Sequence, residues 1–243
     1  MYHGVQSFSI AILSGFLVYL ILFLCSPISL MLAAASSDKD NDNNEYLSED
    51  FEEENSIQIC CTWGNDLQDG KLTYNIDDTD SSKEEQDAVR NAIEEWDSKI
   101  DPLDLERVST MTVSDITIEF RDGSEETKRG EEIAGQTTTT FDQYDFLDNA
   151  RVTILKEPYG YELDTMAIEQ VAKHEMGHAL GLGHANFDGN LMAQKVNDGT
   201  DNISECEIKA VIEANYWKLG SYNRDNTYPS YPEDASVICE DDQ

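Results

Sequence analysis

The chain has 243 residues, and 50 Asp+Glu against 16 Lys+Arg give it a formal charge of −34. Such an acidic surface repels phosphate backbones and anionic lipid headgroups, which excludes ordinary nucleic-acid or membrane-surface binding. A hydrophobic content of 40% is enough for a real core, and the length suits one domain with short extensions.

No charged residue precedes Asp38. Phe8 to Leu24 are nearly all apolar, and a second apolar stretch ends in Ala33-Ala34-Ala35. Small residues at Ala33 and Ala35 after an apolar core read as a secretory signal cleaved near Ser36. The stretch also approaches the length of a membrane span, so residues 1–35 are expected to be a signal peptide or an N-terminal anchor. Either reading places the rest of the chain outside the cytoplasm, secreted or held on the outer membrane face. Residues 36–55 are acidic and polar, as in a disordered linker or short pro-segment.

The expected folded domain covers residues 56–220. Ile57-Gln58-Ile59 and Leu72 to Ile76 alternate like strands. Residues 83–100 form a helix on the spacing of Val89, Ala92, Ile93, Trp96 and Ile100, with Ser82 and Glu85 as its capping box. Asp115 to Phe120 is another strand. Residues 134–141 are β-branched with little apolar content, which predicts a solvent-facing edge strand. Arg151 to Leu155 is a further strand. A second helix runs from about Thr165 to Leu180, stopped by Gly181 and Gly183. A third starts at Ser204 with a capping box to Glu207, and Ile203 and Ile208 are placed as a hydrophobic staple. Ile208, Val211, Ile212 and Leu219 give its expected buried face. Residues 221–243 are an acidic tail rich in Tyr and Pro, without a period.

Five cysteines are present, and Cys25 lies in the leader. The other four, Cys60, Cys61, Cys206 and Cys239, allow three pairings in an oxidising compartment. A Cys60–Cys61 bridge is disfavoured, because neighbouring residues join only with strain. One or two bridges are expected to tie Cys206 and Cys239 into the fold.

The four histidines are more informative. His3 lies in the leader, and His174, His178 and His184 fall in one segment, HEMGHALGLGH. Two histidines four apart lie on one helix face and can meet one metal ion. Glu175 sits beside them, placed to reach a water on that metal. Gly181 lets the chain leave the helix with positive φ and swing His184 back as a third ligand. Three nitrogens leave a fourth tetrahedral position open, the arrangement of a catalytic zinc site.

HEMGHALGLGH resembles the HExxHxxGxxH motif of the metzincin metalloproteases at every fixed position. Leu191-Met192 follows at the spacing of the methionine turn in the matrixin branch, and the resemblance spans roughly residues 60–218. It implies an α+β fold, a metzincin-like zincin. A twisted mixed five-stranded sheet and two long helices stand above a smaller C-terminal subdomain with the third helix. It also implies one catalytic Zn²⁺ on His174, His178 and His184, Glu175 as general base, and Met192 as a support beneath the metal. A polypeptide substrate would lie extended along Gly135–Thr140. Two departures matter. Met192-Ala193-Gln194 lacks the Tyr and Pro that follow the methionine in typical matrixins. No histidine is left for a second, structural zinc. Structural calcium stays open, with Asp77, Asp78, Asp80, Asp188, Asp198 and Asp201 as carboxylate candidates but no EF-hand spacing.

The expected function is therefore a zinc-dependent endopeptidase. The alternative is a non-catalytic acidic surface protein stabilised by zinc, which would bind metal without turning over an unfolded substrate.

Overall fold

The computed structural model describes residues 6–12, 54–123, 125–126, 132–196, 202–219 and 235–240, which belong to one compact unit. The acidic segment 36–53 and most of the tail, with Asp198 and Asp201, lie outside the described residues.

In chain order the strands and helices are β1 (Gln6–Ile12), β2 (Ser56–Ile59), β3 (Lys71–Ile76), α1 (Lys83–Lys99), β4 (Asp104–Arg107), β5 (Ile116–Arg121), β6 (Glu125–Glu126), β7 (Glu132–Ile133), β8 (Gly135–Phe141), β9 (Leu147–Leu155), α2 (Thr165–Ala179), β10 (Leu182–Ala185), β11 (Lys195–Val196), α3 (Glu205–Ala214), α4 (Tyr216–Leu219) and β12 (Ser236–Ile238). No helix among the described residues is long and apolar enough to cross a membrane.

The fold is α+β. Strands in the order β4-β3-β5-β9-β8 make the expected five-stranded mixed sheet. The first four are parallel and β8 runs antiparallel to β9. Ile116, Ile118 and Phe120 alternate inward on β5, as a half-buried strand requires. β1 and β11 continue the sheet beyond β8. Strand β8 is therefore not the bare edge that its composition suggests. Its outer hydrogen-bonding groups take β1 antiparallel, from Gln6 opposite Thr139 to Ile10 opposite Gly135. Nor does it face solvent. Gly135, Thr137 and Thr139 are buried because that face packs on α2. The apolar leader begins here as a strand, and residues 13–35 of it lie outside the described residues.

Helix α1 buries Ala88, Val89, Ala92, Ile93 and Trp96 against α2. Its capping box forms, with Glu85 N donating to Ser82 Oγ at 3.2 Å and Ser82 N donating to Glu85 Oε2 at 2.6 Å. Trp96 Nε1 donates to the Lys173 carbonyl at 3.0 Å, one residue before the first site histidine. On the other side, Trp63 Nε1 donates to the Ala179 carbonyl at 2.9 Å. Two buried indoles thus grip both ends of the segment that carries the site. Lys173 is buried as well, and its ammonium sits between Glu95 (2.7 Å) and Glu169 (3.1 Å).

A small antiparallel sheet, β10-β2-β12, closes the lower part. Its strand β12 lies in the tail, where the sequence shows no period. Helix α3 departs from expectation. Its buried face is Glu207, Ala210, Val211 and Ala214, while Ile208 and Ile212 are half-buried. It stops at Asn215, and Leu219 belongs to the separate α4. The reason is that Asn215 turns inward. Its amide donates to the Leu180 carbonyl (2.8 Å), and its oxygen accepts from Trp63 N (3.0 Å).

Cys206 bridges Cys239 and joins α3 to β12, with the Cα atoms 5.3 Å apart. Cys60 bridges Cys61, against the expectation that neighbours do not pair. With Cys206 and Cys239 committed to each other, these two have only one another among the described cysteines.

Candidate active site

The site is built on the last turns of α2 and the chain that returns from it. Asp164 caps the helix by accepting from Ala167 N at 2.9 Å. His174 and His178 are fully buried, one helical turn apart. The helix then ends in a sharp reversal at Gly181, whose φ is +105°. Any side chain there would also collide with the main chain, since a Cβ would lie 2.5 Å from the Cys61 carbonyl oxygen. Cys60 N and Cys61 N both donate to the Gly181 oxygen, at 3.0 and 3.4 Å. The turn delivers His184 on β10 back over the helix. One nitrogen from each of the three rings lies within 4.8 Å of the others.

The tautomers follow from the hydrogen bonds. His174 Nδ1 faces the Leu191 carbonyl at 2.7 Å, and His178 Nδ1 faces the Leu182 carbonyl at 2.9 Å. A carbonyl only accepts, so both Nδ1 atoms carry the proton and both Nε2 atoms carry a lone pair. Those Nε2 atoms lie 3.0 Å apart. Two lone pairs so close repel unless a cation lies between them. The donor set is all imidazole nitrogen, which suits zinc. Burial holds the rings neutral and ready to ligate. It pushes His174 down to about 3 and His184 to about 4, and it takes His178 well below the ordinary value. Neighbouring rings add to the effect at His174 and His178.

Glu175 is fully buried between α2 and β8. Burial pushes its carboxyl up to about 8, while the hydroxyl of Thr137 pulls it the other way. Thr137 Oγ1 donates to Oε2 at 2.7 Å, and Oε1 has no hydrogen-bond partner. Gly135 makes room for this carboxylate, because a Cβ there would lie 2.7 Å from Oε1.

Met192 is fully buried under the helix and needs Gly177 above it, where a Cβ would press on its sulfur and Cε. The turn that holds it is fixed from three sides. Asn190 Oδ1 accepts from Met192 N at 2.8 Å, and the Met192 oxygen accepts from Ala185 N at 2.8 Å. Glu207 Oε1 accepts from Leu191 N at 3.2 Å. The other oxygen of Glu207 caps α3 through Ser204 N and Ser204 Oγ. Leu191 thereby connects His174 to Glu207 through the carbonyl and the N–H of one residue.

Sequence reasoning placed His174, His178, His184, Glu175, Gly181 and Met192 here, and the fold gathers all six. It missed Thr137, Gly135, Gly177, Asn190 and Glu207. Among the described residues, the histidines form the one group of three or more His, Cys, Asp or Glu able to share an ion. Of the calcium candidates, Asp77 accepts from Thr79 N and Oγ1 of its own loop through Oδ1.

The matrixin family profile matches residues 62–214, more than half of the chain. The chain belongs to the matrixin family. Matrix metalloproteinase-C of Caenorhabditis elegans is 31% identical over 152 residues, covering 58% of this matrixin and 26% of the relative. Metalloendoproteinase 1-MMP of Arabidopsis thaliana is 28% identical over 142 residues, covering 54% of this chain and 39% of that one. The matrixin thus spans well under half the length of these relatives.

Proposed function

We infer that this matrixin is a zinc-dependent endopeptidase, with His174, His178 and His184 holding one catalytic ion. The observation that carries the reading is the fully buried Glu175, next in sequence to the first of three convergent imidazoles, with its Oε1 left without a partner. A glutamate kept buried in that condition is costly unless it works on something brought to it. A non-catalytic, zinc-stabilised protein has no use for it.

When bound, zinc supplies a Lewis acid that polarises the scissile carbonyl and acidifies the attacking water. Glu175 takes the proton of that water at Oε1 and returns it to the leaving amine. Leu191 and Leu182 keep the two helical imidazoles in the ligating tautomer through their carbonyls.

The substrate would lie extended along the outer edge of β8. In support, that edge already accepts an extended strand, β1, in antiparallel register. Substrate and residues 6–12 compete for the same main-chain groups, so cleavage requires the N-terminal segment to be removed or displaced. Secretion or surface anchoring belongs to the same reading, supported by the apolar leader and by the Cys206–Cys239 bridge, which needs an oxidising compartment. The test is zinc content by metal analysis together with cleavage of an unstructured protein, with and without chelator. One zinc per chain and chelator-sensitive cleavage are expected.

A further inference from the structure

We propose that Thr137 is a positioning residue for Glu175, fixing one carboxylate oxygen so that the other is presented to the reacting water. The inference rests on the endopeptidase reading above.

Thr137 lies on β8, and its side chain points inward to α2 rather than along the substrate edge. It is fully buried, as is Glu175. Its hydroxyl has one hydrogen and two acceptors in reach, Glu175 Oε2 at 2.7 Å and the Glu175 main-chain oxygen at 3.0 Å. The single hydrogen goes to Oε2, the nearer acceptor, and the main-chain oxygen of the same residue lies close beside it. A free glutamate side chain samples many rotamers, and each wrong one removes the base from the water. Gly135, two residues earlier on the same face, removes the steric wall that would push the carboxylate away. A Cβ there would stand 2.7 Å from Oε1 and 2.8 Å from Cγ. Strand β8 therefore provides both the space for the carboxylate and the hydrogen bond that orients it.

This gives β8 two faces with two tasks. Its edge is the surface for an extended chain, and its inward face sets the base. A threonine serves better than serine for burial, but the proposal attributes the effect to the hydroxyl alone. Thr137→Val keeps the shape and deletes the hydroxyl, whereas Thr137→Ser keeps the hydroxyl and deletes a methyl.

The test compares wild type, Thr137→Val and Thr137→Ser on an unstructured protein or peptide substrate, with zinc content and crystal structures for each. Thr137→Val should retain one zinc per chain and lose kcat by roughly tenfold with KM within about twofold. Thr137→Ser should recover kcat to within about twofold of wild type. In crystals, the Glu175 carboxylate should leave its wild-type position in Thr137→Val and keep it in Thr137→Ser. Wild-type kcat in Thr137→Val, or equal losses in both variants, would overturn the proposal. An unmoved carboxylate in Thr137→Val would do the same without any turnover. A wild type with one zinc and no cleavage would remove the endopeptidase reading instead, and the crystal comparison would still judge the Thr137 contact.

Discussion

His174 Nε2 and His178 Nε2 approach to 3.0 Å while both Nδ1 atoms are engaged by backbone carbonyls. The arrangement repels itself until a cation binds, so metal and fold are coupled. Chelation should lower the melting temperature, and zinc should restore it. At free zinc a hundredfold above Kd, binding contributes about 2.7 kcal/mol. Replacing His178 by Ala should abolish that zinc-dependent rise, which a thermal melt with and without zinc reads directly.

The same burial sets a pH dependence in the metal-free protein. His174 falls to about 3 and His184 to about 4 in the fold, from 6.5. The unfolded chain therefore binds more protons below pH 6.5, and these histidines cost stability as the pH falls from there towards 3. Glu175 acts in the opposite sense, because its folded value is raised from 4.5 to about 8. Its contribution is fully present below pH 4.5 and is lost as the pH rises through 8. Glu175→Gln removes this second limb. With chelator present, the variant should lose less melting temperature than wild type between pH 5 and 9. Parallel curves would contradict the burial argument.

Glu207 should matter more than its place on α3 suggests. Glu207→Ala deletes the Glu207 half of the α3 capping box and strands Leu191 N inside the protein. A loss of about 2–3 kcal/mol is expected in urea denaturation. Weaker zinc binding should accompany it, since the Leu191 carbonyl orients His174. Glu207→Gln, which keeps one acceptor oxygen, should lose less.

The N-terminal strand makes a kinetic prediction. A chain beginning at residue 36 should cleave an unstructured substrate faster than the full chain, because β1 no longer covers the outer edge of β8. Equal rates for the two proteins would show that residues 6–12 do not compete with substrate.

The parts legible in the sequence are those encoded by short spacings. Helix α1 and helix α2 show their periods, and HEMGHALGLGH carries the three convergent histidines and Glu175 within 11 residues. What the sequence hid depends on contacts between distant segments. Thr137 meets Glu175 across 38 residues, and Glu207 meets Leu191 across 16. Glu207 was visible as a capping residue, but only one of its oxygens does that work. Strand β4 buries Leu105 alone and so shows no alternation. Leu219 falls outside α3 because Asn215, an ordinary polar residue by composition, is consumed by the Leu180 carbonyl and Trp63 N. The threonines of β8 looked solvent-facing for the same reason, since their inward hydroxyls gain meaning only once α2 lies against them.

Glu175→Ala tests the endopeptidase reading most directly. Purified wild type and Glu175→Ala would be compared for zinc content and for cleavage of one unstructured protein. One zinc per chain in both, with cleavage by wild type alone, is the predicted result. Cleavage by the variant at the wild-type rate, still suppressed by chelator, would contradict the assignment of Glu175 as the base.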